Sequence, residues 1–346
     1  MAVGPDLDAG GLVAAATRSS SAVVLTDSNV GPLYAAKLAR SLENAGVSVA
    51  ETVEVPAGER SKSLETYAGI LSRLARAGVT RDAALVALGG GVVGDLGGFV
   101  AASYLRGIAF AAVPTSLLSM VDSSVGGKVG VDLPEGKNLA GAFLQPRVVV
   151  ADTSLLGSLP GREISGGLAE VLKMGLLAGG EFYRDLSLLK SARGGDEDAL
   201  RRLVAHSVRF KAGVVAEDER EGGRRAILNY GHTIGHGIET AAGYTLAHGE
   251  AIALGMRAAA RLSEARFGIE LAAEQDELLR AAGLPLQAGG IERAAVLDAM
   301  SRDKKRRSGD AIARHRFVLL EEIGRPVWGV PVTDAEAEGV MEGIVG

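Results

Sequence analysis

Ala83-Ala84-Leu85-Val86-Ala87-Leu88 runs without a polar residue straight into Gly89-Gly90-Gly91-Val92-Val93-Gly94-Asp95. Six apolar residues without alternation predict a strand covered on both faces, as in a parallel sheet sandwiched between helices. The glycines put a tight turn at the end of that strand, and an apolar, helix-like segment follows. Such a turn lets backbone N–H groups and a helix N-terminus approach a pyrophosphate. The pattern is not G-x-G-x-x-G with an acidic residue about 20 positions later. Close packing in a tight turn would also use these glycines.

Outward from this turn the same alternation continues. Ser21 to Thr26, Val47 to Val55, Ile108 to Val113 and Val148 to Ala151 read as strands, and Leu33 to Ala45 and Ser63 to Ala77 as helices. Strands alternating with helices predict an α/β fold: a doubly wound, Rossmann-like parallel sheet domain. Pro56-Ala57-Gly58-Glu59-Arg60-Ser61-Lys62 follows the second of these strands at the same sheet end, where Glu59 and Lys62 suit ribose hydroxyls and a phosphate. Ser61 or Ser63 would equally serve as an ordinary helix cap. After about Asp152 the texture changes to long helical patterns: Ile164 to Leu177, Ala199 to Asp218, Ala226 to Ala242, Gly249 to Phe267 and Ala272 to Ala282. Arg316 to Leu320 and Val327 to Val330 are short strand candidates. Two domains follow, 1–152 for a dinucleotide and 153–346 mainly α-helical. The 346 residues, too many for one simple core, agree.

Composition narrows the function. The net charge of −5 offers nucleic acid no general basic field, so the short basic run Lys304 to Arg307 is not taken as such a patch. No cysteine is present, so a metal would have to be held by His, Asp or Glu. The stretch MAVGPDLDAGG lacks a basic and an apolar signal region, and the most apolar region, Gly98 to Pro114, is interrupted by Arg106. No leader and no membrane span are expected, and a cytoplasmic location is.

Three of the five histidines fall within 17 residues: His232, His236 and His248. His232 and His236, four apart, share one helix face. Glu170 and Lys173 sit one turn apart inside an apolar helix, where burial is costly unless the groups are paired or ligating. Two histidines and a carboxylate with one open position would make a catalytic metal site. Spacing alone does not say which histidines those are. Lysines and arginines at separated positions (Lys128, Lys137, Lys211, Arg224, Arg225) suit a substrate bearing phosphate and carboxylate.

Taken together, GGGVVGDLGGFVAASYLRG, VPTSLLSMVDSSVGGKVGVDLPEGKNLAGAFLQP, SGGLAEVLKMGLL, KAGVVAEDEREGGRRAILNYGHTIGHGIE and AHGEAIALGM closely resemble the 3-dehydroquinate synthase family, one of the sugar phosphate cyclases. The stretches span Gly89 to Met256 in one order, and AGERSK and DKK extend the likeness over most of the chain. The resemblance implies an NAD domain and a helical metal domain with the active site between them. It implies that Glu170, His232 and His248 bind zinc or cobalt, and that His236 is catalytic and not a ligand. It places Glu59, Lys62, Gly91, Val92, Val93, Gly94, Asp95, Thr115, Ser116, Lys137, Leu155, Leu156, Gly157 and Ser158 at the NAD. Arg106, Asp122, Lys128, Asn138, Lys173, Lys211, Arg225, Asn229 and His236 are implied to line the substrate pocket. Lys128 is expected at the cofactor too, and Glu221 as a supporting acid. One lysine of Lys304 and Lys305, taken as Lys305, is implied to reach the substrate phosphate.

The departures are small. Ser116 stands where Thr is usual, and Val129 and Asp132 replace the frequent Thr and Asn; Asp132 adds a charge near the pocket. The implied reaction converts 3-deoxy-D-arabino-heptulosonate 7-phosphate into 3-dehydroquinate and phosphate, with NAD acting as a catalyst and not a consumed reductant. A homodimer is implied, with no nucleic acid or membrane partner. Another sugar phosphate cyclase and a metal-dependent polyol dehydrogenase are the rival readings.

Overall fold

A computed structural model describes residues 1–302 and 315–346. The chain divides into two compact units, Met1–Leu159 and Pro160–Gly346.

In the first unit the elements run β1 (Ala2–Gly4), α1 (Ala9–Thr17), β2 (Ser21–Asp27), α2 (Gly31–Asn44), β3 (Ser48–Val55), α3 (Leu64–Arg76), β4 (Ala83–Gly89), α4 (Gly91–Ser103), β5 (Ala109–Pro114), β6 (Lys128–Leu133), β7 (Gly136–Phe143) and β8 (Val148–Asp152). Six strands form one sheet in the order β1-β8-β5-β4-β2-β3, and every neighbouring pair is parallel. The expected doubly wound architecture is therefore present. All seven residues of β4 are buried, the physical counterpart of its unbroken apolar run. Val93, Leu96 and Val100 of α4 pack with Val23, Leu25, Leu85 and Ala87 of the sheet. Each such side chain, fully buried, contributes roughly 1.5–3 kcal/mol.

The chain steps outward from β2 to β3 and then returns to the other side of β2 with β4. The direction of winding thus reverses between β2 and β4. In open parallel sheets, ligands bind outside the carboxyl ends of the strands at such a reversal. The Gly89–Gly91 turn lies at that point, at the end of β4.

Two features of this unit differ from the sequence reading. Ala2–Gly4 adds a short edge strand beside β8. The polar, lysine-bearing stretch after Val125 is an antiparallel hairpin, β6 and β7, with Val131 opposite Ala140. Its glycines and charges conceal the alternation that marks a strand.

The second unit contains α5 (Gly161–Ala178), α6 (Gly180–Asp185), α7 (Leu189–Arg193), α8 (Glu197–Glu217), α9 (His232–Ala241), α10 (His248–Phe267), α11 (Ala272–Ala282), α12 (Arg293–Arg302) and α13 (Asp334–Val340), with the antiparallel pair β9 (His315–Glu322) and β10 (Arg325–Val332). α5 is buried almost all round, from Ile164 to Leu177, as a central helix must be. The expected single helix from Ala226 to Ala242 is broken. Arg224–Asn229 forms a 3-10 turn and α9 starts afresh at His232. Between them Gly231 takes φ +79°, where a Cβ would lie 2.8 Å from the Met256 backbone nitrogen. Only glycine supplies that dihedral and that closeness. No helix among the described residues is long and apolar enough to cross a membrane.

Candidate active site

Most of the segments expected to hold the cofactor lie at the carboxyl edge of the six-stranded sheet. Glu59 and Lys62 follow β3, Gly91 to Asp95 open α4 after β4, Thr115 and Ser116 follow β5, and Leu155 to Ser158 follow β8. Thr115 is tied to the glycine turn by its N–H, which donates to the Gly89 carbonyl at 3.0 Å. Ser116 shares a 2.9 Å hydroxyl contact with Ser119. Val93 is 1% exposed, so its side chain is packed in the core and offers nothing to a ligand; Leu155 and Leu156 are also buried. The Ser158 hydroxyl accepts from Tyr34 at 2.7 Å. Asp27, at the end of β2 beside the winding reversal, accepts the N–H groups of Asn29 and Val30 at 2.9 and 3.0 Å. Sequence reading passed over Asp27 and Tyr34; a polar turn after the first long strand of such a domain was the available signal.

The Lys62 ammonium, on a buried side chain, donates to Asp95 of α4 and to the side-chain oxygen of Asn138 on β7. Asp132 completes this network from the hairpin. Its N–H donates to the Lys62 carbonyl at 2.9 Å, and its carboxylate accepts the Asn138 N–H at 2.7 Å. Asn138 is held at φ +55°, a left-handed conformation that asparagine tolerates better than most residues. Asp132, expected to add a charge near the pocket, accepts the Asn138 N–H and so helps to fix that backbone. Burial pushes the Glu59 carboxyl up, against the pull of Lys62 and Lys137. Lys128 and Lys137 stand exposed on the hairpin. Asp122 lies in the turn Ser119–Ser123, and the Ser123 and Ser124 hydroxyls beside it are buried without a hydrogen-bond partner. Arg106 is exposed, and both it and Leu105 have positive φ, 67° and 50°. Two consecutive non-glycine residues in that region store strain of the kind that gathers at functional sites.

In the second unit, Glu170, His232 and His248 lie with one ligand atom each within 4.8 Å of one another. Nε2 of His232 is 3.5 Å, and Nε2 of His248 3.8 Å, from the same oxygen of Glu170. These separations are long for hydrogen bonds. They are close to the roughly 3.3 Å edge of a tetrahedron whose centre-to-ligand bonds are about 2.0–2.1 Å. The far nitrogen of each ring is anchored: Nδ1 of His232 at the Tyr230 carbonyl, 3.1 Å, and Nδ1 of His248 at Glu239, 3.3 Å. A carbonyl only accepts, so His232 carries its proton on Nδ1 and turns a lone pair toward Glu170.

Glu170 is completely buried. It is charge-paired with Lys173 one turn along α5. Burial works against its charge, but Lys173 and then His248 prevail and hold it down at about 2. Burial and the Lys173 charge hold His232 well below the usual imidazole range. Burial opposes protonation of His248 too, but Glu170 and Glu239 outweigh it and raise it to about 9. The His236 ring centre lies 5.2 Å from that of His232 and 6.0 Å from that of His248.

The 3-10 turn that carries Arg225 and Asn229 packs against α5 and α8. Asn229 donates to Glu221 at 3.0 Å, and Lys211 is buried on α8. Asp218 organises the turn by accepting the N–H groups of Arg225, Gly222 and Gly223, which hold its carboxyl below the usual range. Asp218 and Glu239 were not singled out in the sequence. A carboxylate three residues after His236 was the available signal for the second. Lys304 and Lys305 lie outside the described residues.

Two family models match the chain, 3-dehydroquinate synthase N-terminal over residues 52–166 and C-terminal over residues 167–306. These ranges take in every expected site residue from Glu59 to Lys305. The chain belongs to the 3-dehydroquinate synthase family. A 3-dehydroquinate synthase of Acidithiobacillus ferrooxidans is 49% identical over 321 residues, covering 91% of this chain and 86% of the relative. A solved 2-deoxy-scyllo-inosose synthase, complexed with carbaglucose-6-phosphate, NAD+ and Co2+, has a TM-score of 0.87 at 28% identity, covering 98% of this chain and 95% of its own. The 2-epi-5-epi-valiolone synthase of Streptomyces hygroscopicus subsp. jinggangensis, with NAD+ and Zn2+ bound, has a TM-score of 0.86 at 27% identity, covering 99% and 96%. In this member of the 3-dehydroquinate synthase family Asp132 has a defined place, as the anchor of the Asn138 N–H.

Proposed function

We propose that this chain is a 3-dehydroquinate synthase that converts 3-deoxy-D-arabino-heptulosonate 7-phosphate into 3-dehydroquinate and phosphate, with NAD and a divalent cation, zinc or cobalt, as resident cofactors. One observation carries the reading. A fully buried glutamate, charge-paired with Lys173, has two imidazole nitrogens 3.5 and 3.8 Å from one of its oxygens, and the opposite nitrogens of those rings are already engaged. The donor set suits a divalent cation, which would displace the proton from His248: two imidazole nitrogens, one carboxylate and room for a further ligand. Glu170, His232 and His248 would hold it. NAD would lie along the carboxyl edge of the sheet, on Glu59, Lys62, the Gly91–Asp95 helix start, Thr115 and Ser116.

When bound, NAD supplies a reversible hydride acceptor and the cation an electrophile that acidifies a hydroxyl. The chain's own groups then have distinct tasks. The Lys62 ammonium, fixed by Asp95 and Asn138, orients what lies on the β3 edge. Lys128, Arg225 and Lys305 neutralise the phosphate and carboxylate of the substrate. Asn229 keeps its amide oriented through Glu221 and presents it to a substrate hydroxyl. His236 relays a proton next to the cluster. The substrate phosphate can accept the proton whose removal expels it, so no strong protein base is required.

The alternative of another sugar phosphate cyclase is favoured by the solved relatives at 27–28% identity. The 49% identity to a 3-dehydroquinate synthase weighs against it. The deciding experiment measures phosphate release from the heptulosonate phosphate at trace NAD+, with and without a chelator. Release that depends on metal, over many turnovers per NAD+, supports the reading. Release only from a different sugar phosphate overturns it.

A further inference from the structure

Glu239 is no member of the ligand set proposed above, yet it is buried and its Oε2 lies 3.3 Å from Nδ1 of His248. It stands on α9 two turns beyond His232, on the same helix face. His248 enters from α10, so its two ring nitrogens meet carboxylates of two other helices: Glu170 of α5 at Nε2 and Glu239 of α9 at Nδ1. An unrestrained imidazole can flip its ring and carry its proton on either nitrogen. A carboxylate at Nδ1 removes both freedoms and strengthens Nε2 as a donor to a cation. The restraint matters here because His248 belongs to two overlapping clusters. His236, Glu239 and His248 also have ligand atoms within 4.8 Å of one another.

We propose that Glu239 is a positioning residue that commits His248 to the Glu170–His232 cluster, by holding its Nδ1 proton, and so sets the affinity and geometry of the cation site. The inference rests on the metal reading of the preceding section. Engaged with Glu239, Nδ1 is withdrawn from the other cluster, and the cation has one place to settle. His232 needs no such acid, since the Tyr230 carbonyl fixes it from within its own chain segment.

The test uses the full-length protein stripped of metal and reloaded with cobalt. Cobalt affinity is measured by chelator competition, and the visible ligand-field spectrum is recorded, for wild type, Glu239→Gln, Glu239→Leu and Glu170→Gln. We expect Glu239→Leu to weaken cobalt binding roughly 10–100-fold and to alter the spectrum. Glu239→Gln, which keeps an acceptor without the charge, falls between it and wild type. If Glu239→Leu does not fold, Glu239→Gln alone decides, by a weakened or unchanged affinity and spectrum. Wild-type affinity and spectrum in the Glu239 variants overturn the proposal. So does loss of all binding in Glu239→Leu with binding kept in Glu170→Gln, which would make Glu239 a ligand of the other cluster. Failure of the underlying reading looks different: wild type itself then binds no stoichiometric cobalt, and the inference falls with it.

Discussion

Lys173 and Glu170 put an ammonium and a carboxylate side by side in the interior of α5, 2% and 0% exposed. A buried pair of this kind is strongly destabilised when one partner is removed, by roughly 3–5 kcal/mol. Lys173→Met therefore leaves Glu170 uncompensated, unless a cation takes over the ammonium's role. Urea unfolding of this variant is expected to show the large loss in chelator and a clearly smaller one with zinc. Equal losses in both conditions would argue against a cation on Glu170. The pair was legible in the sequence as an acid and a base one helical turn apart. Their complete burial was not, because it depends on every helix packed around α5. His248→Ala is the sharper case, since it removes a proposed ligand and leaves the Lys173–Glu170 pair in place. Metal-dependent turnover should vanish while circular dichroism keeps its helical signal; a fully active His248→Ala would refute the ligand assignment.

Elements bring these residues together by approaching more closely than side chains allow. Gly249, next to His248 at the start of α10, lies against α5: a Cβ there would sit 2.3 Å from the Gly166 carbonyl oxygen. That atom is backbone and cannot swing aside. Gly249→Ala should force the two helices apart, costing about 1–3 kcal/mol of stability and separating His248 from Glu170. The expected result is lower metal affinity together with a lower melting temperature; unchanged metal affinity would show that helix spacing does not set the site. In the first unit, Asp132 plays the corresponding part in the hairpin. Asp132→Ala removes a charge-assisted bond to the Asn138 N–H, of the kind worth about 1.5–3 kcal/mol. If Asn138 contacts substrate, kcat/KM falls by roughly 10-fold or more; a wild-type value would remove Asn138 from the pocket. Neither approach was readable in advance. Gly249 looked like any helix-starting glycine, and the hairpin was hidden because its alternation is broken by glycine and charge.

For the whole molecule the decisive behaviour is the accounting of electrons. With NAD acting as a catalyst and not a consumed reductant, as proposed, substrate in large excess over NAD+ should be consumed to completion with no accumulation of absorbance at 340 nm by NADH. Accumulation in step with product would make the chain an ordinary dehydrogenase. Bound ligands should also stabilise the folded state through mass action, by about 2.7 kcal/mol at a concentration one hundred times the dissociation constant. NAD+ and zinc should thus each raise the melting temperature, and a chelator should reverse only the zinc effect.

The amino-acid sequence alone determined the class of both units and most of the residues of interest, because buried parallel strands, glycine turns and histidine spacing are local signals written in runs of neighbouring residues. Only the tertiary structure decided two other things: that the helix expected across residues 226–242 breaks at Gly231, where the Met256 backbone passes too close for a side chain, and that Glu170 of α5 meets His232 of α9 and His248 of α10. Each depends on how closely one backbone passes another or on which acceptor a side chain meets across the fold. Those distances are set by packing between segments far apart in the chain, and no local pattern encodes them.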